Sequence, residues 1–170
     1  MIKALFLDRD GVINKDSRYP HKPEHIEFCD GIFSLCKKAL EKGYEIFVMT
    51  NQAGIAKGFF TEKDLIELHK WMGEEFAKQG IPIRAFYYCP YHKNGTVTEY
   101  RMDSDLRKPR PGMFQKAVQE HGIDISKSLM VGDKESDRIE LSGLRSVIIK
   151  SQYVTDGYDF EQLSDIEKVL

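Results

Sequence analysis

Residues Ile2–Asn14 read IKALFLDRDGVIN, an apolar run that stops at two carboxylates, Asp8 and Asp10, followed by a glycine. A short apolar run closed by a turn signal is the pattern of a strand buried on both faces, so Ala4–Leu7 is expected at the centre of a parallel sheet. In open α/β sheets the site lies outside the carboxyl ends of the strands, which is where this strand delivers Asp8 and Asp10. Alternation carries both carboxylates to one side and turns Arg9 away, and Gly11 permits a sharp turn behind them. Two like charges this close in a semi-buried cleft call for a cation or a shared proton, which points to metal-assisted chemistry. Taken alone, a solvated acidic turn explains DxDG equally well.

The same pattern recurs along the chain. Glu45–Met49 (EIFVM) reads as a second buried strand, Ala85–Cys89 (AFYYC) as a third, Ser128–Val131 (SLMV) as a fourth and Ser146–Ile149 (SVII) as a fifth. Helical periodicity falls between them. Gly31–Lys42 is one such segment, with Gly43 as its stop, and Pro111 to about His121 is another. A third starts at the N-cap Thr61 and runs to about Gln79, with Leu65, Ile66, Leu68, Trp71, Met72 and Phe76 as its buried face. His69 in that helix reads as a solvated or rim residue. A helix carrying Asp137 is expected to reach about Leu141, and Phe160–Val169 is expected as the last. Strands alternating with helices over 170 residues predict an α/β fold, a doubly wound parallel Rossmann-like sheet in one domain spanning 1–170.

Composition narrows the function. Hydrophobic content of 41% with 31% charged residues is that of a globular protein, and a net charge of -2 supplies no broad basic field for nucleic acid or a membrane surface. No apolar run reaches transmembrane length, and Asp8 breaks the first one too early for a signal peptide, so the cytoplasm is the expected compartment. Cys29, Cys36 and Cys89 are too few for a disulfide framework.

Phosphate is the ligand that the strand ends suit. Thr50 and Asn51 end the second strand with a hydroxyl, an amide and a glycine-containing turn, all donors for phosphate oxygens, although they equally fit a cap on the turn Ala53–Lys57. RKPRPGM (Arg107–Met113) brings a cationic cluster to the mouth of a helix, and its Arg107 and Lys108 are a phosphate contact if the cleft is anionic and otherwise a surface pair. The fourth strand discharges Asp133 within GDKESD. The Pro-containing stretch after Asn14 cannot be a regular element and is expected to shape the entrance.

LDRDG, MTN, RKP and GDKESD, in this order, resemble the four motifs of the haloacid dehalogenase-like phosphatases, over essentially the whole chain. DRDGVIN, TNQAGIAKG, RKPRPGM and VGDKESD are similar to a capless branch containing heptose bisphosphate and histidinol-phosphate phosphatases. The resemblance implies Asp8 as nucleophile and Asp10 as general acid and base. Magnesium would be held by the Asp8 carboxylate, the Asp10 carbonyl and the Asp133 carboxylate. Thr50, Asn51 and Lys108 would bind the transferring phosphoryl group, with Lys134 a second cation oriented by Asp137. Gln52 and Arg107 would reach the sugar or a second phosphate. The implied substrate is a small sugar bisphosphate, with a heptose 1,7-bisphosphate first and histidinol phosphate as the alternative. A monomer is the default, and a binding protein without turnover is the remaining rival. The branch usually carries a zinc loop reading roughly CPHH and then CxC before RKP. Here Cys89 is followed by Pro90, Tyr91 and His92, and Ser104 and Leu106 stand where the later cysteines would, so no zinc is expected.

Overall fold

The computed structural model describes residues 1–170. Five strands, β1 (Lys3–Leu7), β2 (Tyr44–Asn51), β3 (Ile83–Cys89), β4 (Leu129–Gly132) and β5 (Arg145–Ile148), form one parallel sheet in the order β3-β2-β1-β4-β5. β1 is central, so side chains from both of its faces are enclosed. Leu5 and Leu7 pack with Ile46, Val48 and Val131 against helices α1 (Ile32–Glu41), α2 (Glu62–Lys78) and α4 (Leu163–Ile166). Ala4 and Phe6 pack with Phe47, Met49 and Met130 against α3 (Gly112–His121). Two faces filled from alternate positions of one strand explain its unbroken apolar run.

Helices α1, α2 and α3 stand where they are expected and differ in detail. Thr61 caps α2, its hydroxyl accepting from the Asp64 N–H at 3.1 Å while the Asp64 carboxylate takes the Thr61 N–H at 2.9 Å, a reciprocal arrangement contributing about 1 kcal/mol. The buried stripe of α2 is Leu65, Leu68, His69, Met72 and Phe76, and Ile66, expected inside, is 55% exposed. His69 lies four residues after Leu65 and three before Met72, so helical geometry puts it on the core line whatever its polarity. Trp71 packs as expected, stacked on Phe28.

The segment after β4 does not form the expected helix to Leu141. It makes one 3-10 turn, Glu135–Asp137, because the Asp137 carboxylate folds back to accept the N–H groups of Asp133 and Lys134 at 3.0 and 3.2 Å. Arg138 is then drawn to Asp159. The final helix is also shorter than Phe160–Val169. The Phe160 carbonyl accepts from the Lys150 N–H at 2.9 Å and Phe160 bridges Ile149, which commits its backbone to an extended form.

The stretch after Cys89 is irregular, as expected, with one 3-10 turn at Thr98–Tyr100. Glu62 on α2 accepts the hydroxyls of both Tyr88, at 2.5 Å, and Tyr100, at 2.9 Å. The Thr96 and Val97 N–H groups donate to the Ala56 carbonyl, and Arg110 pairs with Asp103 and Asp105.

Candidate active site

The carboxyl ends of β1, β2 and β4 open into a cleft of about 640 Å³ whose lining includes Asp8, Asp10, Asn51, Gln52, Arg107, Lys108, Lys134 and Asp137. Asp8 leaves β1 with its N–H on the Val131 carbonyl, which fixes it to the sheet at 3.0 Å. Its Oδ1 accepts from the Arg9 N–H at 2.9 Å and from Lys108 Nζ at 2.8 Å. Lys108 Nζ also donates to Asp137 Oδ1 at 2.6 Å. Oxygens of Asp8, Asp133 and Asp137 lie within 4.8 Å of one another, all three residues buried. Gly11 is required here on two counts, since φ is +91° and a Cβ would enter the Asp133 carboxylate.

Three buried carboxylates face one ammonium. Burial first, then repulsion from Asp137, pushes the Asp8 carboxyl up to about 6, with Lys108 opposing the shift. Burial and the charges of Asp8 and Asp137 push Asp133 up to about 9. Burial works against the Lys108 ammonium, yet Asp137 and Asp8 hold its pKa above the ordinary lysine value. Asp133 Oδ1 is buried with no hydrogen-bond partner. A hard divalent cation would supply what this cluster lacks, and carboxylate oxygens are its preferred donors. Both Asp137 oxygens are already engaged, so Asp8 and Asp133 are the side chains free to hold one.

Arg9 does not turn away from the site. It is fully buried, and its guanidinium folds onto Asp10, with Nε donating to Oδ1 at 3.0 Å and Nη2 to Oδ2 at 3.3 Å. The reason is a charge requirement that side-chain alternation ignores, since a buried guanidinium needs a carboxylate. Asn14 Nδ2 adds a bond to Asp10 Oδ1 at 3.0 Å, and Gln52 Nε2 spans Asp10 Oδ2 at 3.2 Å and the Thr50 hydroxyl at 2.8 Å.

The phosphate-binding candidates separate. Thr50 and Lys108 are buried beside Asp10 and Asp8 respectively, each one bond or one bridging amide away. Asn51 has a partner within the protein. Its amide makes two reciprocal bonds with the Lys108 backbone, accepting from N–H at 3.0 Å and donating to the carbonyl at 3.2 Å, so it sets where Lys108 enters the cleft. Asp137 likewise orients Lys108, not the Lys134 side chain, because its carboxylate reaches only the Lys134 backbone N–H. Lys134 Nζ lies 4.5 Å over the Tyr153 ring and 3.9 Å from Asp16. Arg107 lines the cleft, and its Nη1 is buried without a partner. Arg18, Lys57 and Tyr153 also line the cleft; Arg18 comes from the stretch expected to shape the entrance, Lys57 from the end of the turn Ala53–Lys57, and Tyr153 from a segment that carries no motif. Their one signal was membership of the long loops that follow strand ends.

A family model described as polynucleotide kinase 3 phosphatase matches residues 5–163. The chain is 42% identical over 172 residues to the D-glycero-alpha-D-manno-heptose-1,7-bisphosphate 7-phosphatase of Campylobacter jejuni, covering 99% of this chain and 94% of that one. It belongs to the haloacid dehalogenase-like phosphatases. Within this family it is also 38% identical to the D-glycero-beta-D-manno-heptose-1,7-bisphosphate 7-phosphatase of Pasteurella multocida, covering 100% of this chain and 97% of the other. Among solved structures, a HAD-like phosphatase from Mesorhizobium loti superposes with a TM-score of 0.85 at 29% identity, over 98% of this chain and 85% of that one. The D,D-heptose 1,7-bisphosphate phosphatase of B. bronchiseptica, solved with magnesium and phosphate, shares the fold at a TM-score of 0.80 and 23% identity, over 99% and 97% of the two chains.

Proposed function

We propose that this phosphatase uses magnesium and Asp8 to hydrolyse a phosphate monoester of a sugar bisphosphate, with D-glycero-D-manno-heptose 1,7-bisphosphate as substrate and the 7-phosphate as the group removed. The observation that carries the reading is the buried Asp8–Lys108–Asp137 chain beside the unpartnered Asp133 oxygen, an anionic pocket built to be completed by a cation and a phosphate. Magnesium, held by Asp8, Asp133 and the Asp10 carbonyl, supplies charge neutralisation between nucleophile and phosphate. Two hydrogen bonds on Asp8 Oδ1, from Lys108 and the Arg9 N–H, fix the plane of the carboxylate that attacks phosphorus. The bond from phosphorus to the sugar oxygen breaks as an aspartyl-phosphate forms, and Asp10 gives its proton to the departing oxygen. Asp10 then takes a proton from the water that hydrolyses the intermediate. Lys108 and the Thr50 hydroxyl meet the phosphoryl oxygens, while Asn51 and Asp137 hold Lys108 in place.

A second phosphate needs cations away from Asp8. Arg107, with its unpartnered Nη1, supports that role, and Gln52, Lys134 and the other lining residues border the sugar. Identity of 38–42% over nearly the whole chain to two heptose bisphosphate 7-phosphatases favours that substrate over histidinol phosphate. Net charge of -2 argues against a polynucleotide end, which would engage an extended basic surface. The protein is read as a monomer of the cytoplasm without membrane or nucleic-acid partners, and no helix is long and apolar enough to cross a membrane. The loop after Cys89 is read as held by Glu62, Tyr88 and Tyr100, without zinc. With magnesium present, phosphate release from the two heptose 1,7-bisphosphate anomers should exceed that from histidinol phosphate or a 3′-phosphorylated oligonucleotide by at least about a hundredfold in kcat/KM. Equal or faster release from either of the latter contradicts the substrate assignment.

A further inference from the structure

His69 is a buried histidine that the mechanism above does not use, and it sits behind Arg9. Its ring is stacked on Phe86, with centroids 4.6 Å apart, and its Nε2 is 3.3 Å from Arg9 Nη1. A guanidinium only donates, so Nε2 contributes a lone pair and the imidazole is neutral. Burial first, then the Arg9 charge, holds its pKa well below the usual histidine range. Arg9 Nη2 donates to the Pro20 carbonyl at 2.7 Å, and the remaining edge of the guanidinium spans both oxygens of Asp10. The Arg9 fork is therefore fixed from α2 by His69, from the cleft loop by Pro20, and faces Asp10 with two nitrogens. A buried ion pair is a poor device for stability alone, whereas a planar fork sets the orientation of the carboxyl plane it grips.

We propose that Arg9 and His69 are positioning residues, His69 acting through Arg9, that aim the Asp10 carboxyl group at the leaving oxygen. The proposal rests on Asp10 being the proton donor. In the step concerned, the phosphorus–oxygen bond of the ester breaks, its electron pair stays on the sugar oxygen, and the Asp10 proton moves to that oxygen. Positioning then matters only where the leaving oxygen needs a proton. Misaimed general acids lose about tenfold to a hundredfold.

The test compares kcat/KM, which reports steps up to loss of the leaving group, for the best sugar phosphate and for 4-nitrophenyl phosphate, whose leaving group departs without protonation. His69→Phe, which keeps the ring volume and removes the acceptor, is expected to lose about thirtyfold on the sugar phosphate and less than about threefold on the aryl ester. His69→Gln, whose carbonyl can accept from Arg9, is expected to recover most of that loss. Arg9→Lys keeps the charge without the fork and should show the same ester-selective loss, which preserves the test if His69→Phe does not fold. Equal losses on both esters, or none on either, overturn the positioning role. Asp10→Asn is the control for the underlying reading. An ester-selective loss there beside unselective His69 and Arg9 variants overturns this proposal alone, and an unselective loss there overturns the assignment of Asp10 as the acid together with it.

Discussion

The strand-end cleft and the loop that follows Cys89 meet at Arg107, yet they are held together in opposite ways. The cleft buries Asp8, Asp133 and Asp137 against Lys108 and leaves Asp133 Oδ1 and Arg107 Nη1 without partners. The loop is tied down by groups that are met, with Glu62 of α2 accepting the hydroxyls of Tyr88 in β3 and Tyr100 in the loop and the Thr96 and Val97 N–H groups closing on Ala56. Unmet polar groups in a buried setting cost stability in the free protein and are repaired by ligand, whereas met ones only hold shape. The cleft is thus organised for binding and turnover, and the loop for support.

The contrast breaks most readily at Asp8. Asp8→Asn should lose at least about 10⁴-fold in kcat while the fold, followed by circular dichroism, is kept. Activity within tenfold of the parent would remove the cleft from the chemistry. Lys108→Met is next, with kcat expected to fall about 10²- to 10³-fold because the transferring phosphoryl group loses its buried cation. A change confined to KM would make Lys108 a ground-state contact only. At Glu62, the α2 residue that anchors the loop, the expectation reverses. Glu62→Ala should cost about 2 kcal/mol of unfolding free energy, by denaturant titration, with kcat/KM moving less than tenfold. A large kinetic loss with unchanged stability would make the loop part of the catalytic apparatus.

The smallest effect is also the most specific. The raised Asp133 pKa means that the folded protein binds that proton more tightly than the unfolded chain, so the group's favourable contribution is complete below about pH 4 and is lost as pH rises toward about 9. Metal-free Asp133→Asn, which cannot ionise, should therefore be more stable than the parent by roughly 1–2 kcal/mol at pH 8, with the gap closing toward pH 4. Saturating magnesium should stabilise the parent and not the variant. A gap that is constant with pH would show that neither burial nor the charges of Asp8 and Asp137 raise the Asp133 pKa.

What could be read in advance follows the same division. Strand positions, sheet-edge carboxylates and helix starts were legible because burial and caps leave period and punctuation in the sequence, as at Ala4–Leu7 and Thr61. The place of Lys108 in the cleft was legible too, since RKP follows a long loop at the mouth of a helix. Arg9 and His69 were not. Alternation sends Arg9 outward and polarity sends His69 to the surface, and only the charge of Asp10 and the α2 stripe, taken together, reverse both. Asn51 stands at its strand end as expected, whereas its bonds to the Lys108 backbone, 57 residues on, leave no local signal in the sequence. The failed helix through Asp137 has a related cause. Its carboxylate caps its own turn while gripping Lys108, and periodicity does not register either bond.

The central claim is that Asp8 takes the phosphoryl group. Acid-quenched enzyme from a single turnover with the heptose bisphosphate and magnesium, reduced with borohydride and digested, reads this directly, since reduction of an aspartyl-phosphate leaves homoserine in its place. Homoserine at position 8 is the expected result, absent when magnesium is omitted. Its appearance at another aspartate, or its absence while phosphate is released at the full rate, would contradict the account.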